Sequence, residues 1–219
     1  MKLSQRTILV LRNFSTINPS LIFKPGNTIT TISQSKTVMA RAVVDTEFQS
    51  QFAIYDLAQF LSAVSMFDDP ELTPTKTAME IGTNRERIKY TFSEPSLILA
   101  APEKEVKVPD PEVVFELKND SLTRTLKALS VIGAPEIAVT GDGENVYIEA
   151  LNTKDSSKST YRVPVGETSK TFRFIFLAEN IKLLPGDYNV SISSKGLSHF
   201  KGSDVEYWVA VEAHSTYEG

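Results

Sequence analysis

The chain has 219 residues, 41% of them hydrophobic, a formal net charge of −4 and no cysteine. That length suits one large domain or two of about 100 residues each, with ample apolar material for a core. The missing cysteine excludes disulfides, thiolate metal sites and cysteine nucleophiles, and the negative net charge excludes a uniformly basic nucleic-acid binder.

Charge is unevenly distributed. Residues 1–44 carry Lys2, Arg6, Arg12, Lys24, Lys36 and Arg41, and the first acid is Asp45. A basic region on an acidic protein is the pattern of a molecule that meets phosphate with one surface. The apolar run 8–11 is cut by Arg12 and is too short for a secretory signal. No apolar stretch approaches the ~20 residues of a membrane-spanning helix.

The first element is a helix. Leu3, Thr7, Val10, Leu11, Phe14 and Ile17 recur at helical spacing on one side, with Gln5, Arg6, Arg12 and Asn13 on or beside the other. Strands are predicted at 21–23, 28–32, 37–44 and 48–54, from β-branched and aromatic residues bounded by turn formers. Asp56 is placed to cap a second helix built on Leu57, Phe60, Leu61, Val64 and Phe67, which ends near Asp68-Asp69-Pro70. Further strands fall at 72–73, 78–81, 87–92 and 97–99. The 87–92 run alternates, so one of its faces is wet. Three prolines keep 101–111 extended as a connector between segments 1–108 and 109–219.

The second segment repeats the order. A strand at 113–117 leads to a helix at 119–132, and strands follow at 137–140, 145–151, 160–165 and 171–177. A shorter helix at 178–184 stops at Pro185-Gly186, strands return at 188–193, 199–201 and 206–211, and the tail 215–219 is expected to be loose. The repeat has a constant offset of 115 positions: Leu11 matches Leu126, and Ile17 matches Ile132. The basic residue recurs too, as Arg12 and Lys127. Two similar halves, each strand-rich with two helices, make a duplicated α+β chain. A solvated helix face is the plainer reading of one such basic helix. Two equivalent helices with cations at matching places favour a shared surface.

No catalytic constellation emerges. His199 and His214 lack partners at metal-ligand spacing. Asp68, Asp69 and Glu71 follow a helix without the glycine-bearing loop of a calcium site. Gly141-Asp142-Gly143 joins two strands and so reads as a hairpin turn, not a phosphate loop. Trp208, the only tryptophan, lies in an apolar strand; core packing and one wall of a peptide pocket are both open readings.

Particular residues carry a resemblance. They are Met1-Lys2-Leu3-Ser4, Asn13-Phe14, Thr16-Ile17-Asn18, Ala53-Ile54-Tyr55-Asp56-Leu57, Phe60-Leu61 and Pro185-Gly186-Asp187-Tyr188. Near the end come Tyr207, Val209-Ala210, Glu212-Ala213 and Ser215-Thr216. This collinear set, with the repeat, resembles the DNA sliding clamps, most closely the polymerase processivity clamps of T-even-type bacteriophages. The resemblance implies two tandem clamp-type domains, strands outside and helices lining a ring pore, in a homotrimer. It implies double-stranded DNA threaded without sequence preference, a replicative DNA polymerase as partner, and an ATP-dependent clamp loader that opens the ring. No cofactor and no reaction are implied, and the place of action would be the cytoplasm of an infected bacterial host. Pore residues would be Lys2, Arg6, Arg12, Arg124 and Lys127. Subunits would join through Ile88, Tyr90 and Phe92 on one edge and Tyr161 and Val163 on the other. Val38, Ile98, Leu99, Trp208 and Ala210 would receive a partner peptide. A phage structural protein with a duplicated β-rich fold is the rival reading.

Overall fold

The computed structural model describes residues 1–83 and 85–219. They form two compact units, Met1–Glu103 and Lys104–Gly219, each with its own core. The division expected at 108/109 lies in the same proline-rich segment as this one.

Unit 1 opens with helix α1 (Gln5–Ser15). The Ser4 hydroxyl caps it, accepting from the Thr7 amide at 3.0 Å. Thr7, Val10, Leu11 and Phe14 bury completely on one face, while Arg12 stays exposed. Thr7 is polar, and its hydroxyl meets that of Thr46 at 3.0 Å, so the buried group is satisfied. Strands β1 (Leu21–Phe23), β2 (Gly26–Ile32), β3 (Val38–Phe48) and β4 (Phe52–Ile54) follow, with β1 antiparallel to β4 and β2 antiparallel to β3. β3 runs on where a break after residue 44 was expected. Asp45 and Glu47 sit on its wet face within a strict buried–exposed alternation, and the chain turns only at 49–51. Phe23, Phe48, Phe52 and Phe92 form an aromatic cluster with centroids 4.5 to 6.0 Å apart.

Asp56 accepts from the Gln59 amide at 2.8 Å and starts helix α2 (Leu57–Ser65). Strands β5 (Glu71–Pro74), β6 (Ala78–Gly82) and β7 (Arg87–Thr91) then make an antiparallel sheet. Met1 exchanges two hydrogen bonds with Leu72 of β5, at 2.7 and 2.8 Å. A 3-10 turn at Pro95–Leu97 replaces the strand expected at 97–99. Proline at the first position fixes the turn, and the Leu97 and Ile98 amides return to Glu94 and Pro95.

Unit 2 begins with β8 (Val113–Leu117) and helix α3 (Asn119–Ile132), ended by Gly133 in the left-handed conformation at φ 63°. Glycine adopts that conformation without side-chain strain. Strands β9 (Glu136–Asp142), β10 (Asn145–Leu151), β11 (Tyr161–Glu167) and β12 (Thr171–Leu177) lead to a 3-10 turn at Ala178–Asn180. Then come β13 (Tyr188–Ser193), β14 (Leu197–Lys201), β15 (Val205–Ala210) and β16 (Thr216–Tyr217). Within the unit, one antiparallel array has the order β11-β10-β9-β12-β16, and another runs β15-β14-β13-β8.

Two expectations fail here. The helix at 178–184 is only the 3-10 turn, so unit 2 has one α-helix. Pro185 disfavours helical backbone at Leu184. Two buried tyrosines also take Leu184's backbone groups: Tyr207 Oη accepts from its amide at 3.2 Å, and the Tyr188 hydroxyl donates to its carbonyl at 2.6 Å. The tail is not loose either, because β16 pairs with β12 as Tyr217 opposite Phe172 and Thr216 opposite Arg173.

Candidate nucleic-acid interface

The two repeat helices correspond position by position. Thr7, Val10 and Phe14 of α1 match Leu122, Thr125 and Leu129 of α3, and all six are buried. Arg12 and Lys127 match and are both exposed. Burying the apolar stripe fixes the helix rotation, and rotation fixes which residues face water. A cation one residue after a buried one (Leu11, or the half-buried Leu126) is therefore aimed outward in both units.

The starts of the helices differ. α1 is capped by its own Ser4, whereas α3 has no cap from the preceding Lys118. Asp187, just before β13, takes that role: its carboxylate accepts from the Asn119 amide at 2.8 Å and pairs with Lys118 at 3.2 Å. The amide bond, and then Lys118, hold the Asp187 carboxyl below its ordinary range. Asp187 thus positions α3. The cue was its place between Gly186 and a strand, where a turn acid readily borrows a backbone donor.

The other expected pore cations are engaged. Lys2 pairs with Asp69, and Arg124 pairs with Asp120 one helical turn away at 3.0 Å. Arg6 is half-buried on α1 and has interactions of its own. Among the described residues, neither Arg12 nor Lys127 takes part in an ion pair. The exposed face of α2 offers Ala58, Gln59, Ser62 and Ser65, which carry no charge. The first of the two units' basic helices also carries an exposed Leu9 where α3 has Arg124.

The expected interface strands are both sheet edges within their units. Among the described residues of each unit, β7 pairs with β6 alone and β11 with β10 alone. Ile88, Tyr90, Phe92, Tyr161 and Val163 are half-exposed. Tyr90 is also anchored inside unit 1, donating to the Asp56 carbonyl at 2.9 Å and meeting the Phe60 ring edge-on at 5.3 Å. On β11, Arg162 pairs with Glu149 at 2.9 Å and lies 3.5 Å from the Tyr147 ring centroid.

The expected peptide residues divide by unit. In unit 1, Val38 and Ile98 are buried and Leu99 half-buried, while the neighbouring Leu97 is 68% exposed. In unit 2, Ala210 is half-buried and Trp208 buried. The Trp208 indole stacks on His199 at 4.6 Å, and among the described residues its N–H has no hydrogen-bond partner. Burial lowers the His199 pKa against the opposing pull of Glu206, whose carboxylate lies 2.9 Å from Nε2.

Comparison with known proteins decides the family. A family model described as DNA polymerase processivity factor matches residues 2–104, and one described as gp45 sliding clamp, C terminal, matches residues 114–213. The chain is 34% identical to the sliding clamp of Vibrio phage KVP40 over 221 residues, which covers 97% of this chain and 100% of that one. It is 32% identical to the sliding clamp of Enterobacteria phage T4, with both chains covered in full. The chain belongs to the sliding-clamp family. As a clamp, it is a DNA polymerase processivity factor of phage DNA replication, and the rival structural-protein reading falls.

Solved structures agree on the clamp fold. PCNA of A. fulgidus, in a structure with the C-terminal region of FEN-1 bound, matches with a TM-score of 0.72 at 12% identity, covering 98% of each chain. PCNA of Thermococcus kodakaraensis gives 0.69 at 14% identity over 95% of this chain and 96% of that one. The beta clamp of Helicobacter pylori gives 0.68 at 13% identity, covering 100% of this chain and 65% of that one. At those identities only the backbone is shared, so residue roles rest on this chain's own geometry.

Proposed function

We propose that three copies of this clamp close a ring in which α1 and α3 present their cations to duplex DNA. The observation that carries this reading is the matched pair Arg12 and Lys127, exposed and, among the described residues, without an ion pair at the same place on two repeated helices. Three copies bring six such charges to one bore. Long, separated side chains attract phosphates without reading bases, which suits a protein that must slide. Lys2, Arg6 and Arg124 add to the field, with Lys2 and Arg124 partly compensated by Asp69 and Asp120.

The open edges β7 and β11 support head-to-tail assembly, with Ile88, Tyr90 and Phe92 of one subunit against Tyr161 and Val163 of the next. Two different edges are what a closed ring of identical copies needs. Val38, Ile98, Leu99, Trp208 and Ala210 are the proposed seat for an apolar peptide of the polymerase or of an ATP-dependent loader. The clamp itself catalyses nothing in this reading and works in the cytoplasm of the infected bacterium. Light scattering tests the ring: a mass of three subunits is expected, and a single subunit at micromolar concentration overturns it.

A further inference from the structure

The edge of β12 is closed by the chain's own residues 212–219. The Glu212 amide donates to the Ile175 carbonyl at 2.8 Å, and the Ser215 hydroxyl accepts from the Ile175 amide at 2.8 Å. Further along, the Glu218 amide donates to the Thr171 carbonyl at 3.0 Å, and the Gly219 carbonyl accepts from the Thr171 amide at 3.3 Å. Tyr217 lays its ring parallel to Phe174 at 6.3 Å. No residue from 212 to 219 is buried, whereas Phe172, Phe174, Ile175 and Phe176 beneath are at most 3% exposed. The segment therefore satisfies backbone groups of an edge strand, while its side chains lie over the core and none is buried in it. A bare edge of this kind is a template for any extended chain.

We propose that the β12 edge is a strand-addition site for an extended segment of a partner protein, held in cis by residues 212–219 until displaced. The cis occupant specifies the chemistry the site takes. The incoming strand runs antiparallel to β12. It carries an aromatic residue to lie on Phe174 and a hydroxyl side chain two residues earlier to accept from the Ile175 amide. Backbone pairing provides the affinity and these two side chains the selection. Displacement is cheap, because surface strands held by few hydrogen bonds open far more readily than the core beneath them. In unit 1 the corresponding edge, β4, receives one such bond among the described residues, from the Ser93 amide to the Ala53 carbonyl at 2.9 Å, before the chain turns away at Pro95. The inference stands on unit 2 alone and needs neither DNA nor a ring.

The test uses a fluorescent peptide of residues 211–219, the full-length chain, and the full-length variant Thr216→Pro/Tyr217→Ala, which frees the edge. A competitor in cis lowers apparent affinity by the fraction of time the site is closed, so the variant should bind the peptide at least about tenfold more tightly than the wild type. Hydrogen exchange should find the Thr171 and Ile175 amides exposed in the variant and protected again when peptide is added. A second peptide, with Ser215 and Tyr217 replaced by alanine, should bind the variant weakly. Peptide binding no better than the wild type's, in a variant with native melting, overturns the proposal. If the variant unfolds, Tyr217→Ala alone is measured. Unfolding of that chain too overturns the proposal, because the segment is then part of the fold and not a removable occupant.

Discussion

After α1 and after α3 the two units run four strands in the same order, β1 to β4 and β9 to β12, and then part. In unit 1, Asp56 caps a helix and four apolar residues of α2 bury at helical spacing. In unit 2, the matching stretch 178–184 makes one 3-10 turn and then runs irregularly, because Pro185 and the hydroxyls of Tyr188 and Tyr207 claim the backbone a helix would use. The starts differ as well: α1 carries its own cap, while α3 borrows Asp187 from 68 positions away. What both units keep is the buried stripe and the outward cation of α1 and α3. A duplicated fold tolerates different ways of ending and starting a helix, provided each restores the backbone hydrogen bonds. Moving Arg12 or Lys127 around the helix would change the surface itself.

The largest effect should come from breaking the shared stripe. Phe14→Ala should cost about 3–5 kcal/mol of unit 1 stability and Leu129→Ala about 2–4 kcal/mol of unit 2 stability, read by urea unfolding with hydrogen exchange to separate the units. A loss below about 1 kcal/mol at either site would contradict the burial argument. Next is the replacement for the missing helix. Tyr188→Phe strands the buried Leu184 carbonyl and should cost about 1–3 kcal/mol, again by urea unfolding. An unchanged midpoint would mean that the hydroxyl does not hold this segment. None of these three changes should alter ring mass, whereas Val163→Glu on the β11 edge should shift light scattering from three subunits to one without lowering the melting temperature.

A smaller effect concerns the borrowed cap. The Asp187 carboxyl is held below its ordinary range by the Asn119 amide and then by Lys118. A depressed folded-state pKa stabilises above the ordinary carboxylate range, and that contribution fades as pH falls through the depressed value. Asp187→Ala should therefore speed amide exchange in the first turn of α3 at neutral pH and make little difference in acid. Equal effects at both pH values would contradict the carboxylate as the cap.

Much of this was legible from residue patterns. The helix at 119–132 could be bounded because apolar periodicity runs unbroken to a glycine, and α1 because its four deepest residues share one face. The 115-residue offset exposed Arg12 and Lys127 as equivalents, which no single-helix reading would single out. Three features were hidden for one reason: they depend on partners outside the segment concerned. Segment 178–184 has helical periodicity and loses to tyrosines at 188 and 207. The polar tail is ordered only because β12 offers it an edge. Ion pairs that weaken Lys2 as a pore cation involve Asp69, in a distant turn. The break misplaced in β3 had another cause, since acidic residues on a strand's wet face resemble a turn when the alternation is read too locally.

Primer extension on primed DNA, with polymerase and loader held constant, tests the central claim most directly. Arg12→Glu with Lys127→Glu should leave ring mass and melting almost unchanged, because exposed charges contribute little to stability. It should nevertheless shorten products sharply, and more so at high salt, where the remaining attraction is screened. A control that reverses Lys36 and Lys154, exposed elsewhere on the two units, should give wild-type products. Full-length products from the Arg12/Lys127 reversal would contradict the account that these paired helices face DNA.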